Sequence, residues 1–417
     1  MNIIRDSYLE KFKSKRNNGL IKVITGLRRS GKSYLLDPIF KNFLLNDGVK
    51  ADHIIKIDLD SIEYRKLIED GMNLYNYVMN QIVDDETYYV LLDEVQKVKD
   101  FVSILNSFLR KKNLDVYVTG SNSKFLSTDI ITEFRGRGDE IKVYPLSYFE
   151  FYNAYESKNQ ALKDYMIYGG MPYVLSLNNE EEKSMYLINL FNNTYINDII
   201  ERNSIQRNDV LDSILNILSS SISSLTNPKK LYDTFVSSRY KDVNRNTINS
   251  YLNYLEDAFL IKKAERYDIN GKSFISTPYK YYFTDIGLRN ARLNFRQHDL
   301  DHVMENIIFN ELLIRGYNVD VGVIEKYDKN NYGKTIRKQF EVDFVCNKAS
   351  KRYYIQSAYG MLTEEKERQE NRSLMNIKDN FKKIIVTKDD IHTFINDDGI
   401  LNITLEEFLL NQNSLDL

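Results

Sequence analysis

The stretch Gly26-Leu27-Arg28-Arg29-Ser30-Gly31-Lys32-Ser33 decides the reading of this chain. It follows the apolar run Leu20-Ile21-Lys22-Val23-Ile24 and leads into Tyr34-Leu35-Leu36, so a strand, a glycine-bounded loop and a helix are expected in that order. The physical content of the pattern is anion binding. Gly26 and Gly31 let the backbone fold closely around phosphate oxygens, and loop N–H groups with the helix N-terminus add partial positive charge. Lys32 would reach the β- and γ-phosphates and the Ser33 hydroxyl would ligate Mg2+. The expected contacting set is Gly26, Arg28, Arg29, Ser30, Gly31, Lys32, Ser33 and Tyr34, with ATP and Mg2+ as the ligands.

About sixty residues downstream, Tyr88-Tyr89-Val90-Leu91-Leu92 is an unbroken apolar run closed by Asp93-Glu94. A parallel strand covered on both faces reads this way, and open α/β sheets place ligands at the C-terminal ends of such strands. Asp93 is expected in the Mg2+ shell, and Glu94 is expected to orient and deprotonate the attacking water. A further strand, Leu114 to Val118, runs into Thr119-Gly120-Ser121-Asn122-Ser123. Ser121 or Asn122 could bond the γ-phosphate or the water there, or could cap a helix. Phe134-Arg135-Gly136-Arg137-Gly138 then precedes the strand Ile141 to Tyr144, and an arginine in that loop could reach a neighbouring subunit's γ-phosphate.

These motifs together resemble the AAA+ ATPases, and more narrowly a prokaryotic family that joins such a module to a C-terminal part of unassigned function. The resemblance rests on residues 26–33, Leu92-Asp93-Glu94-Val95-Gln96, Thr119-Gly120-Ser121-Asn122-Ser123, Gly136-Arg137 and Tyr144-Pro145-Leu146-Ser147. It implies that Lys32, Ser33, Asp93 and Glu94 are the nucleotide, metal and catalytic residues. Ser121 or Asn122 would be the phosphate sensor, and Arg137 a finger acting within a homo-oligomer. It also implies that Gly170 and Pro172, in Tyr168-Gly169-Gly170-Met171-Pro172, lie near the adenine and report nucleotide state.

The remaining chain divides by pattern. A length of 417 residues exceeds one compact core, and the expected boundaries are 1–147 for the ATPase core, 148–205 for a helical lid, 206–292 for a winged helix and 293–417 for a last α/β domain. The third helix of the winged part, Arg245 to Asp257, sets Ile248, Tyr251, Leu252 and Leu255 on one stripe and an amide-rich face on the other. Asn-Gly at 270–271 marks the hairpin that follows. Arg245, Asn246, Asn249, Lys262, Lys263 and Lys272 are the expected nucleic-acid contacts, with Arg266 and Lys280 also on the presumed wing. Residues 206–290 carry only three more Lys and Arg than Asp and Glu, a thin surplus for a duplex binder.

In the last third, helical Glu305, strand-borne Asp343 in Glu341-Val342-Asp343-Phe344-Val345, and the strand Tyr353 to Tyr359 resemble the restriction-endonuclease-like superfamily. That chemistry needs a carboxylate and a lysine two residues apart on the last strand, where this chain has Gln356 and Ala358. The expectation is a degenerate nuclease site of Glu305, Asp343 and Gln356 that does not cleave unless a lysine such as Lys348 substitutes.

The expected architecture is therefore α/β: a P-loop parallel-sheet AAA+ module, then the lid, the winged helix and the degenerate nuclease-like domain. Composition narrows the setting. The formal charge of −2 announces no nucleic-acid footprint over the whole chain, the single Cys346 excludes a disulfide framework, and no apolar run approaches the ~20 residues needed to cross a bilayer. With no signal peptide at Met1-Asn2-Ile3-Ile4-Arg5-Asp6, a cytoplasmic protein is expected. Three functions compete: an oligomeric ATPase acting on DNA, a nucleotide-dependent switch acting on protein partners, and an ATP-gated nuclease.

Overall fold

The computed structural model describes residues 3–120, 136–238, 243–296, 299–329, 335–360 and 364–417. They form two compact units, Met1–Pro145 with Asp257–Phe259, and Leu146–Glu256 with Leu260–Leu417. The first is built on five parallel strands: β1 (Ile21–Gly26), β2 (Ile54–Asp58), β3 (Tyr88–Asp93), β4 (Leu114–Thr119) and β5 (Gly138–Val143), in the order β2-β3-β4-β1-β5. Alternate residues of these strands enter different cores. Ile21, Val23, Ile55, Ile57, Val90, Leu92, Val116 and Val118 pack with Leu74, Val78, Leu105 and Phe108 on one side. Ile24, Ile54, Tyr89, Leu91 and Tyr117 pack with Tyr8, Phe12, Leu36 and Phe40 on the other. Two-sided burial explains the unbroken apolar runs, because every position of the inner strands but half-buried Leu114 is buried. The consequence for the site is register: all five strands end on the same edge, where β1 releases the glycine-bounded loop and β3 releases Asp93-Glu94.

The second unit begins with helices Tyr148–Ala154, Lys158–Tyr168, Glu180–Asn189 and Asn197–Asn203. Ser147 and Glu150 close the first of these with reciprocal side-chain-to-backbone bonds at its N-terminus. Helices Asn208–Ser220, Pro228–Ser238 and Arg245–Asp257 precede the hairpin β6 (Ile261–Asp268) and β7 (Ser273–Phe283), as the sequence pattern implies. The hairpin does not stand apart as a wing, however. It continues into β8 (Asn318–Lys329), β9 (Thr335–Lys348), β10 (Lys351–Ala358), β11 (Lys382–Thr387), β12 (Phe394–Ile395) and β13 (Leu401–Thr404), in one eight-stranded sheet ordered β12-β13-β11-β10-β9-β8-β6-β7. β6 pairs in parallel with β8, Arg266 opposite Val321 through Asp268 opposite Val323. The expected boundary at 292 therefore cuts through a shared sheet. The cause is local: Gly322 has no side chain, and the Ile269 side chain fills the space where a Cβ would lie 2.8 Å from it. Ile269 joins Ile324, Val342 and Val345 in the core beneath that sheet. Among the described residues no helix is long and apolar enough to cross a membrane.

Candidate functional site

The loop between β1 and helix Lys32–Tyr34 is held in a shape that few side chains allow. Gly26 has φ +136°, and a Cβ there would stand 2.0 Å from the Val143 carbonyl oxygen on neighbouring β5. Arg29 and Gly31 both adopt left-handed backbone, at φ 62° and 96°, the kind of turn that gathers N–H groups into a concave anion site. Lys32 is buried, and its ammonium donates to the carbonyl oxygens of Gly26 and Leu27 at 3.0 Å each. Burial pushes its pKa down to about 8 against the opposing pull of Glu94 and Asp93. Ser30 Oγ is buried with no hydrogen-bond partner among the described residues. Arg28 and Arg29 are exposed beside it, and Tyr34 is half-buried.

Asp93 closes β3 and meets the loop directly. It is hydrogen-bonded to Ser33 and to the Thr119 hydroxyl, and burial raises its pKa even though both bonds lower it. The Thr119 oxygen also accepts the Glu94 backbone N–H at 3.0 Å. Glu94 needs that anchor, since it sits in left-handed backbone at φ 56°. Its carboxylate accepts a hydrogen bond from the Gln96 amide, whose own oxygen is buried without a partner among the described residues. An ammonium, a hydroxyl on a carboxylate and a second carboxylate alongside are the donor set for a magnesium-bound triphosphate. The buried Ser30 hydroxyl, unpartnered among the described residues, adds a donor for a phosphate oxygen, and the Gln96 oxygen an acceptor for water at the same edge.

Three residues here were given no role from the sequence, although two of them stand in its motifs. Thr119 ends β4, which lies between β1 and β3 in the sheet, so its hydroxyl falls between the loop and the acid pair. The polar residues sought there, Ser121 and Asn122, lie outside the described residues, as does Arg135. Arg5 is buried and donates to the Ser30 carbonyl at 2.8 Å and the Tyr144 carbonyl at 2.9 Å, fastening the loop to the end of β5. Gln96 is the third. Arg137 is exposed, with one guanidinium nitrogen 3.5 Å from Asn106 Oδ1.

Residues 18–152 match the family described as AAA domain, and residues 159–299 match a Domain of unknown function (DUF8612). An uncharacterised protein of Haemophilus influenzae is 34% identical over 392 residues, 92% of this chain and 93% of that protein. The chain belongs to this AAA-domain family. An uncharacterised protein of Methanocaldococcus jannaschii is 28% identical over 93% of this chain and 85% of its own length. Among solved structures, the ADP form of Aeropyrum pernix ORC2 aligns with 74% of this chain and 95% of its own, at 9% identity and a TM-score of 0.35.

Other expected site residues of this AAA-domain protein fall in the second unit. Gly170 is fixed by Asp285: its N–H donates to Asp285 Oδ2 at 2.7 Å, and its carbonyl accepts the Leu146 N–H at 2.7 Å. A Cβ at Gly170 would stand 2.2 Å from the Leu146 oxygen, so the Gly-Gly turn marks a tight backbone crossing. Pro172 opens the short helix Pro172–Ser176. Arg245, Asn246 and Asn249 lie exposed, opposite the buried stripe of their helix. Of the hairpin lysines, Lys262 and Lys272 are exposed, and Lys263 is paired with Glu265 at 3.0 Å.

Lys280 corrects the reading of the last third. It points into the protein, 2.8 Å from Glu305, 2.8 Å from Glu341 and 3.6 Å from Asp343, with the Tyr282 hydroxyl also donating to Glu305 at 2.7 Å. A lysine thus stands among the acids expected from the sequence to form a degenerate nuclease site, supplied by the hairpin instead of the last strand. Gln356 is alongside, its side-chain oxygen 3.4 Å from the Asp343 N–H, and Asp343 accepts the Ser357 N–H at 2.9 Å. Burial and the Glu305 charge drive Asp343 up to about 8. Burial alone would raise Glu305 too, but Lys280, His302 and Tyr282 hold it below its ordinary value. Lys348, the substitute considered from sequence, instead donates to the Arg315 carbonyl at 2.7 Å.

Proposed function

We propose that the protein is a Mg2+-dependent ATP hydrolase of AAA+ type, working as a homo-oligomeric motor or switch on DNA. The observation that carries the hydrolase reading is the chain of contacts from Ser33 through Asp93 and Thr119 to Glu94, with Lys32 held in the loop beside it. Ser33 and Asp93 are the residues to hold Mg2+, which when bound supplies positive charge to the phosphate oxygens. Lys32 leaves the Gly26 and Leu27 carbonyls to take up β/γ-phosphate charge. Glu94 accepts the proton of the attacking water, with Gln96 steadying its carboxylate and Thr119 its backbone. Ser121 or Asn122 follows Thr119 as a phosphate contact, and exposed Arg137 serves a neighbouring subunit's site. Gly170 and Pro172 form the adenine-side turn, and its ties to Asp285 pass nucleotide state to the helices behind it.

Action on DNA is favoured over action on protein by the exposed amide and arginine face of helix Arg245–Asp257, a surface suited to adenine edges and phosphates. Cleavage is not part of the proposal, because the Lys280 ammonium is already ion-paired with Glu305 and Glu341, two of the carboxylates that a divalent ion would compete for. The test is ATP turnover with and without duplex DNA across a series of protein concentrations. A specific activity that rises with both supports an oligomer acting on DNA; one indifferent to both refutes it.

A further inference from the structure

Residues 325–329 and 335–339 carry four lysines and arginines, at 326, 329, 337 and 338, against two acids, in a chain whose net charge is −2. The structure shows what this local surplus is mounted on. β8 and β9 stay paired in antiparallel register out to Lys329 opposite Thr335. Their inner parts are buried, Val321 to Ile324 against Val342 to Val345. Beyond Glu325 every described residue is exposed: Lys326, Tyr327 and Lys329 on one strand, Thr335 through Gln339 on the other. The outer hairpin is a two-stranded ribbon with solvent on both faces.

Such a ribbon has no core of its own and is marginal in isolation. Its pairings weaken it further, for Lys326 lies directly opposite Lys338 and like charges in that position destabilise a strand pair. Tyr327, 66% exposed, stands opposite Arg337, which pairs with Glu325 at the root of the arm. The Lys326 ammonium also reaches Asn376 Oδ1 at 3.4 Å, and a polyanion would add counter-charge along the exposed arm.

We propose that this ribbon is a duplex-DNA-binding arm, inserted in the major groove with Lys326, Lys329, Arg337 and Lys338 on the phosphates bordering it. The proposal rests on the reading that the protein acts on DNA, and names the element that grips it. Dimensions support it: about four residues per strand at ~3.3 Å each give an arm some 13 Å long, and two strands ~4.8 Å apart fit a groove ~12 Å wide. An acidic protein surface suits the arm less well, because a stable protein interface is built on an apolar centre, and Tyr327 and Ile336 are the arm's exposed apolar side chains among the described residues.

The experiment is fluorescence anisotropy of a labelled 25-base-pair duplex titrated with the full-length protein over a salt series. The variants replace Lys326, Lys329 and Lys338 together by alanine or, as a control that keeps the charge, by arginine. The alanine variant should bind at least tenfold more weakly, and its slope of log affinity against log salt should fall by about 2 to 3, the signature of three lost phosphate contacts. The arginine variant should bind like wild type, and DNA-free ATP turnover should be unchanged in both. Wild-type binding that the alanine variant retains with an unchanged slope overturns the arm while leaving DNA as the partner. Absence of wild-type duplex binding overturns both, as does competition by polyglutamate as effective as by unlabelled duplex.

Discussion

Thr119→Val separates a bridging role from a merely structural one. Valine keeps the shape of threonine and removes the hydroxyl that accepts the Glu94 N–H and donates to Asp93. A hydrogen bond to a charged group contributes about 1.5–3 kcal/mol, and a neutral one about 1 kcal/mol. Both are lost together, and Glu94 keeps its left-handed backbone without the anchor. If nearly all of the charged term is expressed in the transition state, the barrier rises by about 1.4–2.8 kcal/mol, a ten- to hundredfold fall in kcat. ATP affinity should change by less than about threefold, because Lys32 and the loop are untouched. Steady-state phosphate release gives kcat, fluorescent-nucleotide titration gives affinity, and a thermal melt shows that the variant folds. Thr119→Ser restores the hydroxyl and should recover most of the rate. A valine variant within twofold of wild type in kcat, with the serine variant no different, would rule out the bridging role of the Thr119 hydroxyl.

Two further outcomes follow from burial. Lys32 loses its charge near pH 8 in the nucleotide-free protein, so ATP affinity should weaken about tenfold between pH 7 and 9, as the charged fraction falls. Calorimetric titration across that range checks it, and Lys32→Arg, charged throughout, should flatten the profile. Asp343 keeps its proton in the folded protein up to about pH 8, whereas an unfolded chain releases it near 3.8. Between those values the folded state binds more protons, so this group's contribution to stability falls as pH rises from 4 to 8. Thermal melts should show wild type losing more stability than Asp343→Asn over that interval, and parallel curves would contradict it.

The local signals were the ones legible in the sequence. Gly26 to Ser33 and the run into Asp93-Glu94 carry their meaning within a few residues, and strands buried on both faces announce themselves by composition. Thr119, Arg5 and Lys280 could not be read in that way. Thr119 matters because β4 lies between β1 and β3, a fact of sheet order and not of spacing. Lys280 reaches Glu305 and Asp343 from a hairpin that the sequence suggested was a separate wing, and Gly322 admits that hairpin to the sheet through a side chain it lacks. The outer part of β9 was missed for another reason. Residues 335–339 face water on both sides, so they show no apolar alternation to mark them as strand.

Everything proposed for the site turns on Glu94 arming water against a phosphate chain held by the loop. Purified wild-type protein and Glu94→Gln should therefore be compared in Mg2+ with radiolabelled ATP, measuring bound nucleotide and released phosphate in the same samples. Equal occupancy is expected in the two proteins, with repeated turnover in wild type and less than about one percent of that rate in the variant. Comparable phosphate release from both, or wild-type protein that takes up no ATP, would contradict it.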